Sequence, residues 1–262
     1  MRLNQFISHH SKYSRREADR LIEEGRVNIE KNKADFNTVL EVGQRVFIDG
    51  KYLKAQNQDL YTVIVYHKPK GEIVSKKDDR DRRIVYDTLG AKYAHFISVG
   101  RLDFASEGLL LLTDSKNVAR QLMQSDLERE YILKIKGSVT KEMIEAMEKG
   151  LSLQNATLGA HHKSKIKAMD FAPFLKYEVT KEGTNFSRLK VSITEGKNRE
   201  LRRFFAYFKR EVVDLRRVRY GWIELNALPV GKIRFLNKTE YKLLHQFLSK
   251  NDKNFYVSKK YI

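Results

Sequence analysis

The chain contains no cysteine, only three prolines and a single tryptophan among its 262 residues. The lack of cysteine excludes disulfide bonds, thiolate nucleophiles and cysteine-based zinc sites. Seven histidines remain, but the close pairs, His9-His10 and His161-His162, are sequence neighbours, and adjacent side chains rarely project toward one ion. We therefore expect no metal, and a functional site built from oxygen and nitrogen groups.

Long hydrophobic runs are also missing. No stretch approaches the roughly 18 apolar residues that a membrane-spanning helix needs, and the N-terminal sequence MRLNQFISHH lacks the apolar core of a signal peptide. The sequence has no glycine-rich nucleotide-binding loop either. We expect a cytoplasmic protein that does not insert into a membrane.

Acidic residues are in deficit, with 33 Asp and Glu against 51 Lys and Arg, for a formal net charge of +18. Such an excess favours a polyanionic partner, and the phosphate backbone of a nucleic acid is the usual one. An anionic membrane surface is the alternative, but it would require a basic amphipathic helix with exposed Leu or Trp. The one tryptophan, Trp222, lies instead in a strand-like run, so the sequence favours nucleic acid.

Residues 1–50 have the pattern of a small separate module. Ser14 and Glu17 form a capping box that opens a helix, and two short strands follow. The outward face of this helix is basic, and a basic strand start comes after it; the residues concerned are Arg15, Arg16, Arg20 and Arg26. We assign these four arginines to substrate binding. A helical cap without a binding role is the alternative.

The remainder divides into three parts. Residues 51–60 are polar and lack apolar periodicity, which predicts a linker. Strand and helix patterns alternate irregularly over 61–250, and this predicts a large α+β domain. Residues 251–262 match no pattern and are predicted to be a C-terminal tail.

Asp103 occupies the most informative stretch, VGRLDFASEGLLLLTD, residues 99–114. The apolar runs 96–99 and 109–113 read as two buried strands joined by a polar loop. Such a loop can hold a carboxylate rigidly, as catalysis requires. An aspartate that merely caps a turn is the alternative.

A second basic region lies in EGKNRELRR, residues 195–203. Leu201 begins an apolar helical stripe that continues through three phenylalanines, whereas Arg199, Arg202 and Arg203 fall off that stripe. The pattern predicts a helix with one packed face and one basic face that could contact RNA. Earlier in the chain, the run KPKG gives Lys68 two equally weighted interpretations, a phosphate ligand or a residue flanking a tight bend.

These motifs, in this order, resemble those of ribosomal RNA pseudouridine synthases with an N-terminal S4 domain, the RsuA/RluB/RluF type. The carrying segments are SRREADRLIEEGRVNI and EVGQRVFIDG in the module, then KPKG, GRLDFASEGLLLLTD and EGKNRELRR. The resemblance implies that Asp103 is the catalytic residue and that Tyr131, in a strand, stacks on the target base. It further implies that Lys197 pairs with Asp103 and that Leu201 packs against the base; Arg101 is assigned to substrate binding.

The resemblance also implies a fold and a reaction. The fold is α+β, an S4 RNA-binding domain followed by a catalytic domain with a mixed, mostly antiparallel central sheet. The reaction converts a uridine of ribosomal RNA to pseudouridine, with large-subunit RNA favoured and transfer RNA left open, and it needs no cofactor. We expect a monomer. A non-catalytic RNA-binding or ribosome-assembly protein on the same fold is the alternative.

Overall fold

A computed structural model describes residues 2–11, 13–41, 43–54, 61–161 and 164–257. The chain separates into two compact units, Met1–Tyr61 and Thr62–Ile262. Within the described ranges no helix is both long and apolar enough to span a membrane.

The first unit packs two helices on a small antiparallel sheet. Its helices are α1 (Leu3–His10) and α2 (Arg15–Glu23), and its strands are β1 (Val27–Ile29), β2 (Asn32–Lys33), β3 (Val46–Ile48) and β4 (Lys51–Tyr52), in the order β2-β1-β3-β4. The predicted capping box is present, because the Ser14 hydroxyl accepts from the Glu17 N–H and the Glu17 carboxylate accepts from the Ser14 N–H. Apolar residues of both helices and of β1 and β3 form the core.

Two predicted boundaries are wrong. Residues 51–52, predicted as the start of a linker, form β4, because their backbone pairs with β3 and extends the sheet. Residues 55–60 of that linker lie outside the described ranges. The tail predicted from residue 251 is helical as far as Val257, as a continuation of the last helix, and residues 258–262 lie outside the described ranges.

The second unit is built on a large mixed sheet whose order is β11-β12-β8-β13-β7-β5-β15. These strands are β5 (Val63–Lys68), β7 (Glu107–Thr113), β8 (Arg129–Lys136), β11 (Lys176–Lys181), β12 (Phe186–Ile193), β13 (Val212–Tyr220) and β15 (Ile233–Phe235). Short strands β6 (Ile97–Ser98) and β14 (Ile223–Glu224) pair with β7 and β13. A separate pair joins β9 (Leu151–Leu153) to β10 (Met169–Phe171).

Within the described residues, four helices lie between strands, α3 (Val85–Leu89), α4 (Lys116–Met123), α5 (Lys141–Lys149) and α6 (Glu200–Tyr207), and a 3₁₀ turn lies at Ala91–Tyr93. A fifth helix, α7 (Lys238–Val257), follows β15. Among the described strands, β13 and β7 are the one parallel pair. The α+β class and the mixed, mostly antiparallel sheet predicted from the sequence are therefore confirmed.

The parallel pair depends on a glycine. Gly108 has φ +109°, and a Cβ at this position would lie 2.2 Å from the carbonyl oxygen of Arg217. Only a residue without a side chain permits so close an approach of the two backbones. Gly108 thus brings the start of β7, and the loop before it, against the centre of β13.

Candidate active site

Asp103 lies in the loop between β6 and β7, as the sequence predicts. Leu102 is buried while the side chain of Asp103 remains 28% exposed. The Ser106 N–H donates to the Asp103 carbonyl at 3.0 Å and closes a turn. The carboxylate is therefore fixed by its backbone but still accessible to a ligand.

A cavity of about 340 Å³ opens beside this carboxylate. Six of the predicted site residues share its lining: Arg101, Asp103, Tyr131, Lys197, Arg199 and Leu201. They come from the β6–β7 loop, from β8 and from the start of α6, segments far apart in sequence. Tyr131 and Leu201 are almost fully buried, so the cavity combines a carboxylate and cations with an apolar inner wall.

The predicted ion pair between Lys197 and Asp103 is not formed. The ammonium of Lys197 lies 2.8 Å from a carboxylate oxygen of Glu195 and donates to the Asp170 carbonyl at 2.5 Å. Glu195, two residues before Lys197, is the nearer carboxylate, so the flexible lysine side chain pairs with Glu195 rather than with Asp103.

Two arginines take the place predicted for Lys197. Nη1 of Arg199 lies 3.6 Å from Oδ2 of Asp103, and Nε of Arg202 lies 3.5 Å from the same oxygen. That Nε is buried and has no hydrogen-bond partner, so its N–H is available to the carboxylate. These two guanidiniums are therefore the cations nearest to the Asp103 carboxylate among its described ion pairs.

The predicted basic face of α6 is wrong, because both faces of the helix are packed. Arg202 is 9% exposed and donates to the carbonyls of Val212 and Ala105. Arg203 is fully buried and donates to the carbonyls of Ala156 and Ile166. Each guanidinium satisfies backbone acceptors of neighbouring segments and neither is free to hold RNA phosphate.

Arg199 begins this helix in a left-handed conformation, with φ +51°. Its Nε donates to the Gly159 carbonyl at 2.7 Å. A Cβ on Gly159 would lie 2.4 Å from the Arg202 carbonyl oxygen, so a glycine is needed for this loop to approach α6. The loop holds Arg199 with its Nη1 directed toward Asp103.

Lys68 does not act as a phosphate ligand either, because its side chain is fully buried. Its ammonium donates to the carbonyls of Pro69, Asp103 and Ser106 at 2.8, 3.1 and 2.8 Å. Burial lowers the pKa of Lys68 to about 8, against the opposing attraction of nearby carboxylates. Lys68 of the KPKG motif therefore holds the Asp103 loop in place through hydrogen bonds to its backbone.

Sequence reasoning missed four charged or aromatic side chains that line the cavity: Arg129, Glu200, Arg217 and Tyr220. Arg129 donates to the Tyr220 hydroxyl at 3.2 Å, and its guanidinium lies 5.0 Å from the Tyr220 ring centre. Burial raises the pKa of Glu200 to about 7, although this carboxyl accepts from the Lys197 N–H. The basic run LRRVRYG contains two of these four, but the run alone does not tell which members face inward.

The arginines predicted to bind substrate in the first unit are exposed. Arg15, Arg16 and Arg20 lie on the outer surface of α2. Arg26 is exposed as well, and its guanidinium makes two hydrogen bonds of 2.7 Å to Asp49 and one of 3.0 Å to Glu24. Part of its charge is thus balanced within the unit. In the described ranges no three His, Cys, Asp or Glu side chains form a group able to hold a metal.

The fold and the site define a class of RNA-modifying enzyme, and comparison with known proteins agrees. The chain belongs to the RNA pseudouridylate synthase family, whose model matches residues 62–207. It is similar to an uncharacterized RNA pseudouridine synthase of Helicobacter pylori (strain ATCC 700392 / 26695), with 57% identity over 95% of each chain.

Two further relatives carry more specific names. Ribosomal large subunit pseudouridine synthase B of Bacillus subtilis (strain 168) is 32% identical over 93% of this chain and 95% of its own length. The dual-specificity RNA pseudouridine synthase RluF of Escherichia coli (strain K12) is 31% identical over 92% and 77%. A solved structure, entitled crystal structure of pseudouridylate synthase, has a TM-score of 0.63 and 22% identity over 93% of this chain and 99% of its own, and supports the fold.

Proposed function

We propose that this enzyme converts a uridine of large-subunit ribosomal RNA to pseudouridine, with Asp103 as the catalytic residue. The choice of RNA is supported by the name of the Bacillus subtilis relative. The observation that carries the proposal is the position of Asp103, a carboxylate at the mouth of a cavity, within 3.6 Å of two guanidiniums.

In the proposed reaction the N1–C1′ bond of the uridine breaks and a C5–C1′ bond forms, while the C5 hydrogen is lost and N1 regains a proton. Asp103 acts either as the nucleophile at C1′ or as the group that assists cleavage electrostatically. Arg199 and Arg202 hold its carboxylate in position through their guanidiniums. No oxidation or energy input is needed, so the residues of the chain suffice.

A uridine paired or stacked in RNA cannot reach this carboxylate, so the nucleotide is flipped into the cavity. Tyr131 and Leu201 are suited to receive the base, because both present apolar surface at the inner wall. Arg101 is exposed at the same cavity and is suited to contact the RNA backbone beside the flipped nucleotide.

The surroundings of Asp103 favour isomerisation over hydrolysis. Hydrolytic glycosidases generally use two carboxylates at a defined separation. The nearest acids in sequence are already engaged: Glu107 accepts from Arg216 at 2.6 Å, and Asp114 accepts from the Thr62 N–H at 2.8 Å. Neither of these two acids is therefore available as a second catalytic carboxylate, and Glu200, which also lines the cavity, accepts from the Lys197 N–H at 2.9 Å.

We propose further that the first unit is an S4-like RNA-binding domain. Its order of two helices followed by a small sheet is the one expected from the sequence resemblance. Arg15, Arg16 and Arg20 expose their side chains on α2 without an ion pair to another described residue, so their charge is available to phosphates. In this proposal the protein works as a monomer in the cytoplasm.

Mapping of pseudouridines in RNA from cells with and without this gene tests the proposal. We expect one or a few sites in large-subunit RNA to disappear and to return when the gene is restored. If a transfer RNA site disappears instead, the substrate is transfer RNA rather than ribosomal RNA. If the map of pseudouridines is unchanged, the alternative of a non-catalytic RNA-binding protein is favoured.

A further inference from the structure

Arg217 occupies the strand between the two parts of the candidate active site. Its strand, β13, lies between β8, which carries Tyr131, and β7, which follows the Asp103 loop. Arg217 is the cross-strand partner of Tyr131 on one side and of Gly108 on the other. Its side chain lines the cavity, so it lies level with the tyrosine proposed to stack on the base.

The guanidinium of Arg217 is buried and incompletely hydrogen-bonded. The residue is 3% exposed, and its Nε donates to the Leu109 carbonyl at 2.8 Å. Its Nη2 is buried without any hydrogen-bond partner. A buried cationic donor without an acceptor is costly, and such a group beside a ligand cavity is suited to receive an acceptor from the ligand.

We propose that Nη2 of Arg217 donates a hydrogen bond to a carbonyl oxygen of the target uracil. The inference rests on the proposed function. It adds a catalytic contact to the base itself, whereas Arg199 and Arg202 act on the carboxylate. A base stacked on Tyr131 presents its edge to the neighbouring strand, and Arg217 is the residue directly opposite on that strand.

The contact serves the chemistry because charge develops on the base. When N1–C1′ breaks, the electron pair of that bond leaves with uracil and is delocalised over N1 and the two carbonyl oxygens. A fixed donor aimed at such an oxygen in a dry site stabilises the developing charge more than the ground state. Arg217 is held by its bond to Leu109 and is therefore oriented before the substrate arrives.

The test combines a protein variant with single-atom changes in the substrate. Once the target uridine is mapped, RNAs carrying uridine, 2-thiouridine or 4-thiouridine at that position are compared in single-turnover reactions with the wild-type enzyme and with Arg217→Met. Sulfur accepts hydrogen bonds poorly, so one thio substitution should slow the wild type about tenfold. Arg217→Met should lose on the order of a hundredfold and should be indifferent to that same substitution.

Arg216→Met is the matched control, because Arg216 is exposed and adjacent in the same strand. This variant should show the thio effect of the wild type. If Arg217→Met does not fold, Arg217→Lys is used, because it retains a cation at this position; its response to the thio substitution should also be reduced.

The inference would be overturned if 2-thiouridine and 4-thiouridine each slowed the wild type and the Arg217 variant equally. It would also be overturned if the Arg217 variant reacted with uridine at the single-turnover rate of the wild type. These outcomes differ from failure of the proposed function, in which the wild-type enzyme itself would form no pseudouridine.

Discussion

Gly108→Ala tests how the site is assembled. The added methyl group would lie 2.2 Å from the Arg217 carbonyl oxygen and 2.7 Å from the Arg217 nitrogen. Both atoms are backbone in the centre of the sheet and cannot rotate aside. The strands would have to separate by more than about 1 Å to reach ordinary van der Waals contact of about 3.5 Å.

The cost has two parts. Forcing an extra methyl group into a packed interior costs about 1–3 kcal/mol, and φ +109° is an unfavourable backbone angle for alanine that costs about 1–3 kcal/mol more. We therefore expect the free energy of unfolding to fall by about 2–6 kcal/mol. Because β7 follows the Asp103 loop directly, the same shift should reduce the rate of pseudouridine formation by about a hundredfold in any molecules that remain folded.

Urea denaturation of Gly108→Ala and of Gly231→Ala separates these two contributions. Gly231 also has a positive φ, +75°, but its added methyl group would meet no atom within 4 Å, so only a backbone cost of about 1–2 kcal/mol is expected. If the two variants are equally stable, the close approach of β7 and β13 does not constrain the fold as we argue.

Three further predictions concern the cations around Asp103. Lys68→Met should slow pseudouridine formation at least tenfold, because the Asp103 and Ser106 carbonyls lose their donor; an unchanged single-turnover rate would contradict this. Between about pH 8 and 10.5 the unfolded chain holds the Lys68 proton and the folded chain does not. As the pH increases through this range, the free energy of unfolding of the wild type should therefore rise by up to roughly 3 kcal/mol relative to that of Lys68→Met. Parallel pH profiles of the two proteins would refute the lowered pKa of Lys68. Arg202→Met should lower the single-turnover rate far more than Lys197→Met, because Arg202 contacts the Asp103 carboxylate whereas Lys197 pairs with Glu195.

The strands and the Asp103 loop could be predicted because their signals are local. Apolar runs of strand length flank the loop, and the capping box of α2 is a four-residue pattern with a specific hydrogen-bonding role. The order of the motifs along the sequence is also sufficient to indicate the family. Predictions of this kind require only the neighbouring sequence.

The roles of individual cations could not be predicted in this way. Lys68, Arg202 and Arg203 are buried because each donates to carbonyl oxygens of segments remote in sequence. Every residue has a backbone carbonyl, so the sequence does not indicate which carbonyls will accept these bonds. A helical stripe of apolar residues implies a solvated opposite face only when nothing packs on that face. In α6 this face instead contacts Ala105 and Ser106 of the Asp103 loop, and also Ala156, Ser164 and Ile166.

Lys197 illustrates a related difficulty. A motif fixes its place at the cavity, but a lysine side chain has several rotatable bonds and donates to whichever carboxylate is nearer. Glu195 is that carboxylate. The partner of Asp103 therefore depends on side-chain competition within the folded site.

The central claim is that the Asp103 carboxylate performs the reaction, and Asp103→Asn tests it most directly. The amide is nearly isosteric but cannot ionise, so purified Asp103→Asn should form no detectable pseudouridine in the mapped RNA while binding that RNA within a few fold of the wild type. Product formation by Asp103→Asn at a rate comparable to the wild type would contradict the claim.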